Sequence, residues 1–163
     1  MPIVQTDLTQ AFSRVVQRSS YSSTVRQTAF LCHSHHDRLL AMGLQHLLYE
    51  QGLDLYIDWQ DSTMPDRPNA ETAERLRKRI VDNTWFLFLA TSNSMTSRWC
   101  PWELGFADGK KASEKIAIIP TRDGATTHGN EYLELYRRIE PSAAGELAVF
   151  NPGAQFGAYV KSL

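Results

Sequence analysis

Apolar and polar positions alternate along this chain in blocks. Leu8, Phe12, Val15 and Val16 recur at helical spacing behind a polar start at Thr6-Asp7, which predicts a short amphipathic helix. Ser19-Ser20-Tyr21-Ser22-Ser23 breaks that pattern and reads as a linker. Thr28-Ala29-Phe30-Leu31-Cys32 is a first short apolar strand, followed by a polar loop over 33–37. Leu39, Leu40, Met42, Leu44, Leu47 and Leu48 mark a long helix that ends at Gly52. A second strand spans 53–57 and closes at Asp58. The stretch 59–69, with Met64-Pro65-Asp66-Arg67-Pro68, is a loop long enough to suggest function. Asn69 is a good N-cap for the next helix, whose acidic Glu71 and Glu74 come early and whose Arg75, Arg77, Lys78 and Arg79 come late, as the helix dipole favours. The spacing pairs Glu71 with Arg75 and Glu74 with Lys78, so the basic cluster reads as a solvated helix end.

The run Trp85-Phe86-Leu87-Phe88-Leu89-Ala90 is apolar throughout and suits a central strand buried on both faces. After a polar loop over 91–97, a helix is predicted over 98–108, stopping at Gly109. A fourth strand (116–120), a loop (121–130), a helix (131–138), a short strand (147–150) and a closing helix (154–163) complete the reading. Strands alternating with helices imply right-handed βαβ units in a parallel sheet. The expected fold is α/β, a flavodoxin-like three-layer sandwich with a five-stranded parallel sheet in the order 2-1-3-4-5. Residues 1–27 form an arm of helix and linker before a main domain at 28–163. The arm could pack on the core or mediate self-association. Ligands of such sheets bind at the carboxyl ends of the strands where the winding reverses. That crevice would lie between residues 33–37 and residues 91–103.

Composition adds mostly exclusions. The chain has 163 residues, enough for one sizeable core, and 17 basic residues against 18 acidic ones. That balance argues against nucleic-acid binding. No apolar run reaches membrane-spanning length, and the first ten residues lack a secretory pattern, so a cytoplasmic protein without membrane contact is expected. Cys32 and Cys100 are too few for a disulfide scaffold and read as small buried thiols. Neither a dinucleotide-binding glycine motif nor a P-loop is present. His33, His35 and His36 cluster but lack the usual ligand partners, so no metal is expected. Asp58 reads as a turn-starting residue.

The densest chemistry is Ser97-Arg98-Trp99-Cys100-Pro101-Trp102-Glu103-Leu104. On a helix Trp99, Trp102, Glu103 and Phe106 share one face. Indoles beside Glu103 can shield it and offer stacking surface to a flat ligand. A structural role competes. If Pro101 takes the first helical position, Glu103 falls at the third, where glutamate commonly caps a helix start. Spacing leaves catalyst and cap both open.

Three segments in order carry a family resemblance. Phe30-Leu31-Cys32-His33-Ser34-His35-His36-Asp37 resembles the first conserved box of bacterial TIR (Toll/interleukin-1 receptor) domains, with Cys32 where many relatives carry serine. Leu55-Tyr56-Ile57-Asp58 and the loop through Met64-Pro65 resemble the second strand and BB loop. The segment 97–104 resembles the start of the αC helix, where enzymatic TIR domains carry a catalytic glutamate in a W-x-x-x-E setting. The resemblance covers about residues 28–160. It implies the TIR fold and cleavage of NAD⁺, as substrate rather than cofactor, at its nicotinamide–ribose bond. The product would be ADP-ribose or a cyclic or conjugated derivative. Glu103 would be the catalytic residue, and His33, Ser34, Asp37, Trp59, Trp99 and Trp102 would line the substrate. Small bacterial relatives often serve anti-phage defence, including Thoeris-type systems. There the product reaches a separate effector, and TIR–TIR contacts assemble the enzyme. A non-catalytic TIR scaffold is the alternative, and a nucleoside deoxyribosyltransferase-like enzyme a third reading.

Overall fold

The computed structural model describes residues 1–15, 26–62, 69–132 and 134–163. The predicted linker at 19–23 and the Met64-Pro65 stretch lie outside them. From the N-terminus, β1 (Ile3–Val4) leads into α1 (Gln5–Val15), followed by β2 (Gln27–Cys32), α2 (Arg38–Glu50), β3 (Leu53–Tyr56), α3 (Ala70–Asp82) and β4 (Trp85–Ala90). Two helices come next, α4 (Ser92–Thr96) and α5 (Trp99–Asp108). The rest is mainly strand: β5 (Ile116–Asp123), β6 (Thr126–His128), β7 (Arg137–Pro141), β8 (Leu147–Phe150) and β9 (Gly157–Tyr159).

The sheet runs β3-β2-β4-β5-β7-β8-β9, and its first five strands are parallel. β4 is buried along its whole length, as its unbroken apolar sequence requires. Its side chains alternate between two cores. Trp85, Leu87 and Leu89 face α1 and α2, with Leu8, Ala41, Leu44 and Leu48. Phe86, Phe88 and Ala90 face α3 and α5, with Leu76, Ile80, Cys100 and Leu104. Helices on both faces of a parallel sheet make the expected three-layer α/β architecture.

The helices form where caps and amphipathic spacing favour them. Asn69 accepts from the Thr72 backbone amide at 2.9 Å, and the Thr72 hydroxyl accepts from the Asn69 amide, a reciprocal cap for α3. Glu71 and Arg75 pair at 2.6 Å on its exposed face. α2 ends before Gly52, whose φ of +88° suits glycine.

Five sequence expectations are corrected. Residues 91–97 are not all loop, because Thr91 and Ser94 cap the short helix α4 reciprocally. The loop expected at 121–130 is a hairpin: β5 continues to Asp123 and pairs antiparallel with β6 around Gly124. The helix expected at 131–138 is a short turn at Asn130–Tyr132 followed by β7. β7 inserts between β5 and β8 and buries Ile139, so it is the fifth parallel strand, while the segment 147–150 runs antiparallel outside it. The closing helix expected at 154–163 is β9 and a turn at Val160–Ser162. There Gly157 lies so close to the Val149 carbonyl that no Cβ fits, and the segment pairs with β8 instead of coiling.

The N-terminal residues pack on the core. β1 pairs with β5, Ile3 and Leu8 are buried, and the Leu8 carbonyl sits against Gly43 of α2 where a Cβ would overlap it. Gln5 Nε2 donates to Thr121 Oγ1 at 3.0 Å, and the Thr121 hydroxyl donates to the Ala90 carbonyl at 2.5 Å. No helix among the described residues is long and apolar enough to cross a membrane.

Candidate active site at the strand ends

The winding reverses between β2 and β4, so the crevice opens where those two strands end, at Cys32 and Ala90. Asp37 closes the loop after β2. It is 4% exposed and bridges both sides of the crevice, accepting from Thr91 Oγ1 at 2.5 Å and from Asn93 Nδ2 at 2.6 Å. Ser34 is buried and its hydroxyl accepts from the His36 amide, shaping the turn that leads into α2.

The neighbouring wall is a histidine–indole pair. Trp59 Nε1 lies 3.0 Å from His33 Nε2. An indole N–H can only donate, so Nε2 accepts and the imidazole proton resides on Nδ1, which donates to the Leu31 carbonyl at 3.2 Å. Asp58 Oδ1 stands 3.8 Å from the same Nε2 and also accepts from the Trp59 amide at 2.8 Å, starting its turn as expected. The Arg38 guanidinium lies over the Trp59 ring at 5.1 Å.

α5 supplies the third side. The helix begins at Trp99, so Pro101 occupies its third position and Glu103 its fifth. A proline is tolerated there because the first-turn amides have no partner within the helix. Ser97 does the capping: its hydroxyl accepts from the amides of Trp99 at 3.2 Å and Cys100 at 3.3 Å. The cap reading of Glu103 therefore falls. Its carboxyl group is left facing inward, 6% exposed, beside Cys32 and Cys100. Burial pushes it well above the usual carboxylate range. The fields of Cys100 and Asp58 push the same way, and a hydrogen bond from the Cys32 thiol draws it back.

The two indoles are not equivalent. Trp99 meets Trp102 edge-on, with centroids 5.4 Å apart. Trp102 stacks on Phe106 under the Arg77 guanidinium of α3, so it also fills the helix–helix seam. Sequence reasoning missed Thr91, Asn93 and Ser97 as site-building residues. The Thr-x-x-Ser spacing at 91–94 and a serine just before Trp99 were the available signals.

An inward carboxyl group, a flanking aromatic helix and an imidazole–indole wall gather at the switch point of the parallel sheet of a flavodoxin-like domain, the place where such sheets bind ligands. Residues 29–145 match the TIR domain family model, and the chain belongs to that family. It is also similar to the probable 3' cyclic ADP-D-ribose synthase ThsB' of Bacillus cereus (strain MSX-D12), being 34% identical over 134 residues that cover 78% of this chain and 68% of the relative.

Proposed function

We propose that this chain is an NAD⁺-cleaving TIR enzyme that releases nicotinamide and makes a cyclic ADP-ribose signal in anti-phage defence of the Thoeris type. The observation that carries the reading is the buried Glu103 carboxyl group, which is free of any capping duty and lies beside Cys32 at the end of β2, the strand end at which the crevice opens. The name of the Bacillus relative supports the product class.

Nicotinamide in NAD⁺ is already cationic, so it departs with the electrons of the N–C1′ bond and needs no general acid. Positive charge develops on the ribose, as in other glycosyl transfers. The ionised Glu103 would stabilise that charge and bind the ribose hydroxyls. Its contribution counts only as far as it is stronger in the transition state than in the bound substrate. An internal nucleophile of the same molecule then captures C1′ and closes the ring, releasing its proton to solvent. Capture by water gives ADP-ribose. His33, Ser34 and Trp59 would line the wall opposite Glu103, Asp37 would hold that wall in place, and Trp99 would border the pocket with Trp102 behind it. Assembly through TIR–TIR contacts, and an effector that reads the product, complete the proposal.

The test is incubation of the purified protein with NAD⁺, dilute and concentrated, with the products read by chromatography and mass spectrometry. Nicotinamide should appear with wild type and fall by at least a hundredfold with Glu103→Gln. Release that survives this substitution would sink the assignment of Glu103. Absence of release under every condition would favour a scaffold.

A further inference from the structure

The turn at Asn130–Tyr132 stands where a helix was expected, and it is pressed against the strand ends that border the crevice. Gly129, just before it, is buried, and a Cβ there would come within 2.6 Å of the Ala90 side chain and 3.2 Å of Ile118. Ala90 is the last residue of β4 and faces the α5 side of the sheet. The Tyr132 amide donates to the Gly129 carbonyl at 3.1 Å, which folds the tyrosine back over that side. There its ring meets Phe88 edge-on, with centroids 5.6 Å apart and planes at 68°. Phe88 lies opposite Cys32 in the β2–β4 register, and the Cys32 thiol reaches the Cys100 carbonyl of α5 at 3.7 Å. Glu103 is three residues further along the same helix face. Burial pushes the Tyr132 hydroxyl up, and Glu131, Cys32 and Cys100 push the same way, so the phenol is neutral at physiological pH.

We propose that Tyr132 is a substrate-binding residue of the crevice, and that its ring face takes the cationic nicotinamide ring of NAD⁺ beside Glu103. The inference rests on the reading of Glu103 as the carboxylate that acts on the ribose, since the group next to that ribose is the nicotinamide. An edge-on contact engages at most one face of the phenol with Phe88, and Tyr132 is only half-buried, so the ring keeps a face that Phe88 does not cover. A pyridinium cation is attracted to the negative face of such a ring. The charge leaves the nicotinamide as the N–C1′ bond breaks, so the contact is stronger in the bound substrate than in the transition state. Tyr132 therefore serves affinity and selectivity for the oxidised, charged dinucleotide, not turnover.

The experiment uses the full chain carrying Glu103→Gln, so that NAD⁺ is bound and not consumed. Tyrosine rings are labelled with ¹³C, and the Tyr132 signal is assigned by its loss in Tyr132→Phe. NAD⁺ and nicotinamide mononucleotide should each shift that signal, and AMP should not. Calorimetry then gives Kd for NAD⁺ and for NADH, whose nicotinamide ring is uncharged. Tyr132→Leu should weaken NAD⁺ roughly three- to tenfold and NADH by less than about twofold, while Tyr132→Phe, which keeps the ring, should stay within about twofold for both. A residue that only packs on Phe88 would leave the ratio of the two Kd values unchanged in Tyr132→Leu, and that result overturns the proposal. A shift with AMP as large as with the mononucleotide overturns it too. So does a Tyr132 signal that stays fixed while NAD⁺ moves the indole N–H signals of Trp59 or Trp99, an outcome that leaves the NAD⁺ reading standing. If NAD⁺ moves neither tyrosine nor indole signals, the NAD⁺ reading and the proposal fall together. Should Tyr132→Leu not fold, the response of the Tyr132 signal decides alone.

Discussion

Asp37 and Thr91 are 54 positions apart, and the Thr91 hydroxyl donates to Asp37 Oδ2 at 2.5 Å in the buried floor of the crevice. The bond ties the loop after β2 to the end of β4, the two segments between which the sheet reverses its winding. Asn93 holds the other carboxylate oxygen. A hydrogen bond to a charged acceptor in such a place contributes more than a neutral one, and losing one partner strands the other.

Thr91→Val should therefore destabilise the fold by about 2 kcal/mol, measured by urea unfolding. A double-mutant cycle with Asp37→Asn should give a coupling of at least about 1 kcal/mol. Additive effects would mean that the two residues act independently.

Glu103→Gln should change stability in a pH-dependent way. The folded-state pKa of Glu103 is raised, so the unfolded chain ionises first as pH increases. The stability that neutral Glu103 contributes is full below the ordinary carboxylate range and is lost as pH rises towards the folded pKa. Glutamine has no such dependence. The variant should gain on wild type as pH rises from the ordinary carboxylate range towards the raised folded value, by roughly 1.4 kcal/mol for each unit of displacement traversed. Parallel stability curves over that range would contradict the buried carboxyl group. In the wild-type enzyme, nicotinamide release should rise with pH through the same raised value.

Trp59→Phe keeps an aromatic ring beside Arg38 and removes the donor to His33 Nε2. Without it, the imidazole is free to exchange tautomers, which ¹⁵N chemical shifts of His33 report. KM for NAD⁺ should rise roughly three- to tenfold with kcat less affected, the signature of lost ground-state binding. A fall in kcat at constant KM would place this wall in the chemical step.

Gly43→Ala tests the seat of α1. The Leu8 carbonyl occupies the space a Cβ would need, so the helices must separate. A loss of about 1–3 kcal/mol is expected, with faster hydrogen exchange over residues 5–15 than over β4. Unaltered exchange in α1 would show that the contact relaxes at no cost.

The parallel core was legible because β4 and its neighbours carry the unbroken apolar runs that two-sided burial demands. The meeting of the segments that form the candidate site was legible in outline, since strand order alone brings residues 33–37 beside residues 91–103. What escaped depends on contacts between distant segments. Arg137-Arg138-Ile139-Glu140-Pro141 offers one buried apolar side chain, too weak a period to read as a strand until β5 and β8 flank it. Gly157 is legible as a glycine but not as the residue that lets β9 lie against Val149. The predicted helix at 98–108 starts within one residue of α5, whereas the capping alternative for Glu103 required a start at Pro101, two positions late, and Ser97 performs that duty.

The link from Gln5 through Thr121 to Ala90 runs on, one residue later, to Thr91 and Asp37. The family model spans 29–145, and β1, α1, β8 and β9 lie outside that span. A chain trimmed to those borders would keep Glu103 and lose the brace that reaches the crevice floor from the first turn of the protein. Catalytic failure of such a fragment would report a missing strut rather than a missing residue.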